Sequence, residues 1–159
     1  MKELAKLLKK HGGFLKTPHG FHMTESYEAE SFGNEGVSFE RGALQLRIVK
    51  DRGVFSFEFH PAFDRNAHSW YDLDLIQKYL ENPDAYVLSE EEKRISLERV
   101  CDSGYQLKRG EGSLSFLNKN LENIIELFSE SNYPLVKEKM KTLMRQRSKQ
   151  LFGPSDRRR

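Results

Sequence analysis

From residue 43 to residue 59, apolar and polar positions alternate with a period of two. Leu44, Leu46 and Ile48 interleave with Gln45, Arg47 and Val49, and the run Val54-Phe55-Ser56-Phe57-Glu58-Phe59 repeats the pattern. Such alternation sends successive side chains to opposite faces of a strand. Between the two runs, Lys50-Asp51-Arg52-Gly53 has the composition of a tight turn, with Gly53 able to take positive φ. The pattern predicts a hairpin. Gly36-Val37-Ser38-Phe39-Glu40 reads as the preceding strand, and Phe21, Met23 and Tyr27 as a first strand or an irregular strand pair. Together they form an antiparallel meander of three or four strands over roughly residues 21–60.

The flanking segments carry helical spacing instead. Leu4, Leu7 and Leu8 share one face of residues 2–11, with lysines on the other, and Gly12-Gly13 stops the run. Residues 13–20, with Pro18 and Gly20, read as a loop. After residue 70, Leu73, Ile76 and Leu80 follow Trp70-Tyr71-Asp72, and Asn82-Pro83 ends that helix. Ser89 with Glu92 three residues on is a capping box, opening a helix that runs to about Asp102. Leu117, Leu121, Ile124, Ile125 and Phe128 predict a helix from about residue 115. Pro134 suits the first turn of a last one, whose apolar face is Val136, Met140, Leu143 and Met144, ending near Gly153-Pro154. The fold class is α+β: an antiparallel strand meander preceded by a short helix and followed by about four helices. Residues 1–153 are expected to form one domain, and 154–159, ending in three arginines, a disordered basic tail.

A chain of 159 residues buries about 70% of its unfolded surface, and eleven Phe, six Tyr and one Trp supply bulk for a core. No apolar run approaches the ~20 residues of a membrane span. Met1–Lys10 lacks the pattern of a secretory signal, and the single cysteine, Cys101, allows no internal disulfide. Cytoplasm is the expected compartment. Net charge is only +2, yet residues 21–100 hold nine Lys or Arg against sixteen Asp or Glu, while residues 133–159 hold nine against two. The middle is acidic and the ends are basic, which can steer a partner of opposite sign.

No catalytic or metal-binding apparatus stands out. His19 and His22 are three apart in a loop without further ligands at zinc spacing. His60, Asp64 and His68 read as parts of a polar connecting loop, because no positioned nucleophile or paired carboxylate accompanies them. Asp102 beside Cys101 opposes thiolate formation, so Cys101 is expected to be a small buried hydrophobe. Gly104, Gly110 and Gly112 are too dispersed to cradle a phosphate. No cofactor and no enzymatic activity are expected. The last helix is basic, and Lys141, Arg145 and Lys149 are candidates for contacting nucleic-acid phosphates. Stacking aromatics are not interleaved with them.

Three compact motifs remain: Ser31-Phe32-Gly33-Asn34, Val49-Lys50-Asp51-Arg52-Gly53 and Trp70-Tyr71-Asp72-Leu73. Through them the stretch from Gly20 to Leu80 resembles small bacterial cytosolic proteins that include immunity proteins encoded beside toxins. The resemblance implies a non-enzymatic protein-binding module whose partner is a cognate toxin. An interface built on it would use exposed Arg52, Trp70 and Tyr71 as anchors, ringed by acidic residues such as Asp72 and Asp74. Each motif also has a structural reading. Asp51 and Gly53 form the turn, Trp70 and Tyr71 fix the junction of sheet and helix, and Asp72 caps the helix starting at Leu73. The alternative function is a nucleic-acid-associated accessory protein working through the last helix.

Overall fold

The hairpin forms where the alternation places it. In a computed structural model of the protein, which describes residues 2–30, 33–66, 68–98 and 102–153, Asp51 pairs with Val54 across a two-residue turn. Arg52 and Gly53 both take positive φ, 49° and 85°. That conformation matches the twist of the flanking strands. Asn34 reaches across to lock the turn: its Nδ2 donates to Asp51 (3.0 Å) and its Oδ1 accepts from the Arg52 N–H (2.8 Å). The carboxylate of Asp51 is thus held from outside the turn, not from within it.

Five strands form one antiparallel sheet in sequence order: β1 (His22–Glu28), β2 (Glu35–Arg41), β3 (Leu44–Asp51), β4 (Val54–Pro61) and β5 (Tyr71–Asp72). The fifth, only two residues long, comes from the segment expected to open a helix. A bulge at Thr24 interrupts the register of β1 with β2. One face is the core face. Phe39 lies opposite Leu46, Leu46 opposite Phe59, and Ile48 opposite Phe57, all buried. Each such side chain contributes about 1.5–3 kcal/mol by leaving water.

Helices cover that face alone. α1 (Glu3–His11) packs on α4 (Ser103–Leu127), while α2 (Leu73–Glu81) and α4 lie against β4 and α5 (Tyr133–Phe152) against α2. α3 (Glu90–Glu98) touches α5 but contributes no buried residue. Its capping box forms as the sequence predicts, with the Glu92 N–H donating to Ser89 Oγ and the Ser89 N–H to Glu92 Oε1. Likewise Asp72 caps α2 by accepting from the Leu75 N–H at 2.9 Å.

α4 starts twelve residues earlier than the expected position near 115, at Ser103. Asp102 caps it, accepting from the Tyr105 N–H at 2.8 Å, and the stretch over which the previous helix is expected to end, residues 99–101, lies outside the described residues. Three glycines hide this helix from a propensity reading, and one of them has a packing reason. A Cβ on Gly110 would stand 2.7 Å from the tip of Leu7, so the glycine lets α1 and α4 approach closely. α1 has a second anchor. The buried carboxylate of Glu35, on β2, accepts from the Leu4 N–H at 3.0 Å, at the positive end of the helix.

Opposite corrections apply to the histidine segment. His60 is in β4, not in a loop, and it is buried. Asp64 belongs to a chain of polar contacts reaching into the core. Tyr71 donates to the Tyr133 hydroxyl (2.7 Å), and Tyr133 donates to Asp64 (2.6 Å), which also accepts from Lys137 (2.9 Å). The hydrogen bond from Tyr133, with help from Lys137, holds the Asp64 carboxyl well below the usual carboxylate range. Burial and the bond to Asp64 push the Tyr133 phenol up.

Candidate functional site

The sheet's second face carries the polar half of the alternation. Across the strands, Glu25, Ser38, Arg47, Glu58 and Asp72 form one row. Tyr27, Gly36, Val49 and Ser56 form the row on one side of it, and His22, Glu40, Gln45 and His60 the row on the other. Above these rows lies a groove of about 610 Å³ whose lining comes from the strands and Trp70 and from no helix.

Charge and aromatic character are concentrated here. Glu25, Glu40, Asp51 and Glu58 line the groove against a single cation, Arg47. Arg47 donates to Glu58 through Nε at 2.8 Å, and its guanidinium lies 4.1 Å from the centroid of the Trp70 ring. Trp70 in turn stacks on His60 (5.0 Å, 25° between planes). The His60 Nδ1 lies 2.7 Å from the Ser69 carbonyl, which can only accept, so Nδ1 carries the proton. The indole is therefore held between the Arg47 guanidinium and the His60 ring. Tyr27, 47% exposed, stands at the opposite end of the groove.

Of the residues the sequence singles out for an interface, the structure brings only some to this face. Trp70 lies on it, and Arg52 sits exposed in the adjoining turn. Tyr71 does not match the expectation of exposure: 5% accessible, it points into the core, against Tyr133 and Phe128. Its place on β5 explains this, since a strand neighbour of Trp70 must face the other way. Asp72 shares a row with Glu58, but its carboxylate is taken by the α2 cap and by Arg147 at 2.8 Å. Asp74 faces elsewhere, into a cleft of about 670 Å³ among α2, α3, α4 and α5, where Arg109 binds it at 2.8 Å. That cleft's cations are all engaged: Lys78 with Glu92, Arg109 with Asp74 and Arg147 with Asp72. The motif reading missed Arg47, Glu25, Glu40, Glu58 and Tyr27. For Glu40, Arg47 and Glu58 the signal was the polar phase of the same period-two pattern that revealed the core, whereas β1, exposed throughout and bulged, carries no such alternation for Glu25 and Tyr27.

The basic last helix is largely neutralised within the fold. Lys137 pairs with Asp64, Lys139 with Asp84, Lys141 with Glu138 and Arg147 with Asp72. Arg145 and Lys149 have no ion-pair partner among the described residues. Also among the described residues, no group of three or more His, Cys, Asp or Glu could hold a metal, and no helix is long and apolar enough to cross a membrane. Cys101, Ser31, Phe32 and the arginine tail lie outside the described residues.

No protein-family model, curated protein or solved structure matches the chain.

Proposed function

We propose that the protein is a non-enzymatic binding module of the cytoplasm, which holds a basic protein partner on the open face of its sheet. The partner in this reading is a toxin, and the module is the immunity protein that blocks it. One observation carries the reading: an uncovered groove lined by four carboxylates and one paired guanidinium, with a prefixed tryptophan at its side. Acidic groups so placed accelerate encounter with a basic surface, while buried aromatic anchors supply most of the affinity. The motifs within residues 20–80 that resemble toxin-immunity proteins favour this partner class.

The test is co-expression with the C-terminal domain of the protein encoded directly upstream. Growth should be rescued, and a stoichiometric complex should purify. Glu25→Lys with Glu40→Lys should slow association at least ten-fold at low salt, with the loss shrinking at high salt, because exposed charges are screened over about 8 Å at physiological ionic strength. Absence of rescue sinks the immunity reading. Rescue that ignores both substitutions sinks the assignment of the face.

A further inference from the structure

The register gives the groove a shape as well as a charge. In the row that crosses it, the floor residues on β3 and β4 are Val49 and Ser56, both short, while Gly36 on β2 lies beneath the Tyr27 ring. Larger groups stand on both sides of this row. Arg47 with its ion-paired Glu58 rises on one side, and Asp51, held by Asn34, on the other. Arg47 and Asp51 are four residues apart on β3, about 13 Å at ~3.3 Å per residue. An α-helix with its side chains measures about 10–12 Å across, whereas an added strand needs only about 5 Å. The spacing fits a helix laid across the strands.

The two ends differ. At β1 the trough is closed by Tyr27, whose ring lies over Gly36 so tightly that a Cβ there would fall 2.2 Å from it. At β4 no strand continues the sheet past Ser56, because β5 pairs only with Glu58 and Phe59; Gln106 and Arg109 of α4 take the Phe55 N–H and carbonyl at that edge, on the core side. The floor left open between the Tyr27 ring and the outer edge of β4 is two strands wide, about 10 Å, the length of roughly six or seven helical residues.

We propose that the groove receives an α-helix of the partner, about two turns of it within the trough, entering over Ser56 and ending against Tyr27. A small or aliphatic residue sits over Val49. Lysines or arginines on the helix flanks reach Glu25 and Glu58 on one side and Asp51 on the other. This deepens the reading above and rests on it, since it names the element that the acidic face accepts.

Trp70 is the only tryptophan, so its emission reports directly on this face. The probes are two peptides of about fourteen residues, long enough to cross the trough as a helix. Both consist of alanine and lysine with adjacent lysine pairs repeated every four residues, so that both flanks of the helix are cationic, and one carries two central prolines. At low salt the first should change the Trp70 emission and gain helicity by circular dichroism, and the proline peptide should bind at least ten-fold more weakly. Ser56→Phe, which fills the floor at the open end, should weaken the first peptide at least ten-fold, as should Glu25→Lys. Equal affinity of the two peptides, with Ser56→Phe silent and Glu25→Lys effective, overturns the helix and leaves the acidic face standing. Indifference to Glu25→Lys overturns both. Binding of neither peptide overturns the helix, and growth rescue then decides the wider reading by itself.

Discussion

The guanidinium of Arg47 lies 4.1 Å from the centroid of the Trp70 ring, and Glu58 holds it there. Arg47 on β3 and Trp70, just ahead of β5, thus form one ordered unit, and the rotamer entropy of the long arginine side chain is lost on folding. Arg47→Ala should destabilise the protein by about 1 kcal/mol, the sum of a modest cation–π contact and a partly exposed ion pair. Trp70 emission should move to longer wavelength as the ring gains water. Urea denaturation and fluorescence check both; an unchanged emission maximum would show that Arg47 does not shield the ring.

The Asp64 contact makes stability depend on acid, although its carboxyl keeps its charge to lower pH than an ordinary carboxylate. Its carboxyl titrates lower in the folded protein than in the unfolded chain, so its contribution is complete above the unfolded value of about 3.9 and is lost as pH falls below it. Asp64→Asn should be less stable than the parent near neutrality. The difference should shrink as pH falls from about 4 towards 2, where the parent loses the same interaction. Urea midpoints measured across that range decide it; a constant gap would place the acid sensitivity elsewhere.

The alternating residues of 44–59 disclosed the hairpin because a half-buried strand has no other way to satisfy its two environments. The helix from Ser103 was hidden, since Gly104, Gly110 and Gly112 lower helix propensity by up to about 1 kcal/mol each while the packing that compensates them lies far away in sequence, at Leu7 for Gly110. Tyr71 and Trp70 illustrate a different limit. Their adjacency announced a junction, but which ring turns inward depended on the pairing of Tyr71 with Phe59, a contact that no local pattern encodes. The same holds for Arg47, whose partner on Trp70 arrives from the far side of β4.

Gly36 and Tyr27 offer a substitution that alters the groove without touching the core. Gly36→Ala should drive the Tyr27 ring off the sheet, because only the flexible end of that side chain obstructs the new methyl. Stability should stay within about 0.5 kcal/mol of the parent, as for surface changes that leave buried contacts alone. Nitration of Tyr27 by tetranitromethane, followed by peptide mapping, should be faster in the variant. A large loss of stability would mean the ring is held in place by more than its contact with the glycine.

Glu35 should matter more than its polar character suggests. Glu35→Ala leaves the buried Leu4 N–H without its acceptor, at a cost of about 1–3 kcal/mol. The loss should appear as faster amide exchange confined mainly to α1. Uniform acceleration across the sheet would instead make α1 part of the global folding unit.

The last helix supplies a control. Neutralising Lys141, Arg145 and Lys149 should leave the fold and the acidic-face probes unaffected, since all three are exposed. If the protein instead binds nucleic acid through them, the slope of log affinity against log salt should flatten by about three units in the triple variant. Nanomolar nucleic-acid affinity at physiological salt, lost in that variant, would move the working surface to α5.

Because the described helices cover only one side of the sheet, folding and, under the proposed function, recognition are written on alternate letters of the same strands. Leu46, Ile48 and Phe57 answer to the core, while Arg47, Val49 and Ser56 answer to whatever lies outside. A lineage pursued by a changing adversary could rewrite the outer letters one at a time and leave the inner text, and with it the fold, intact.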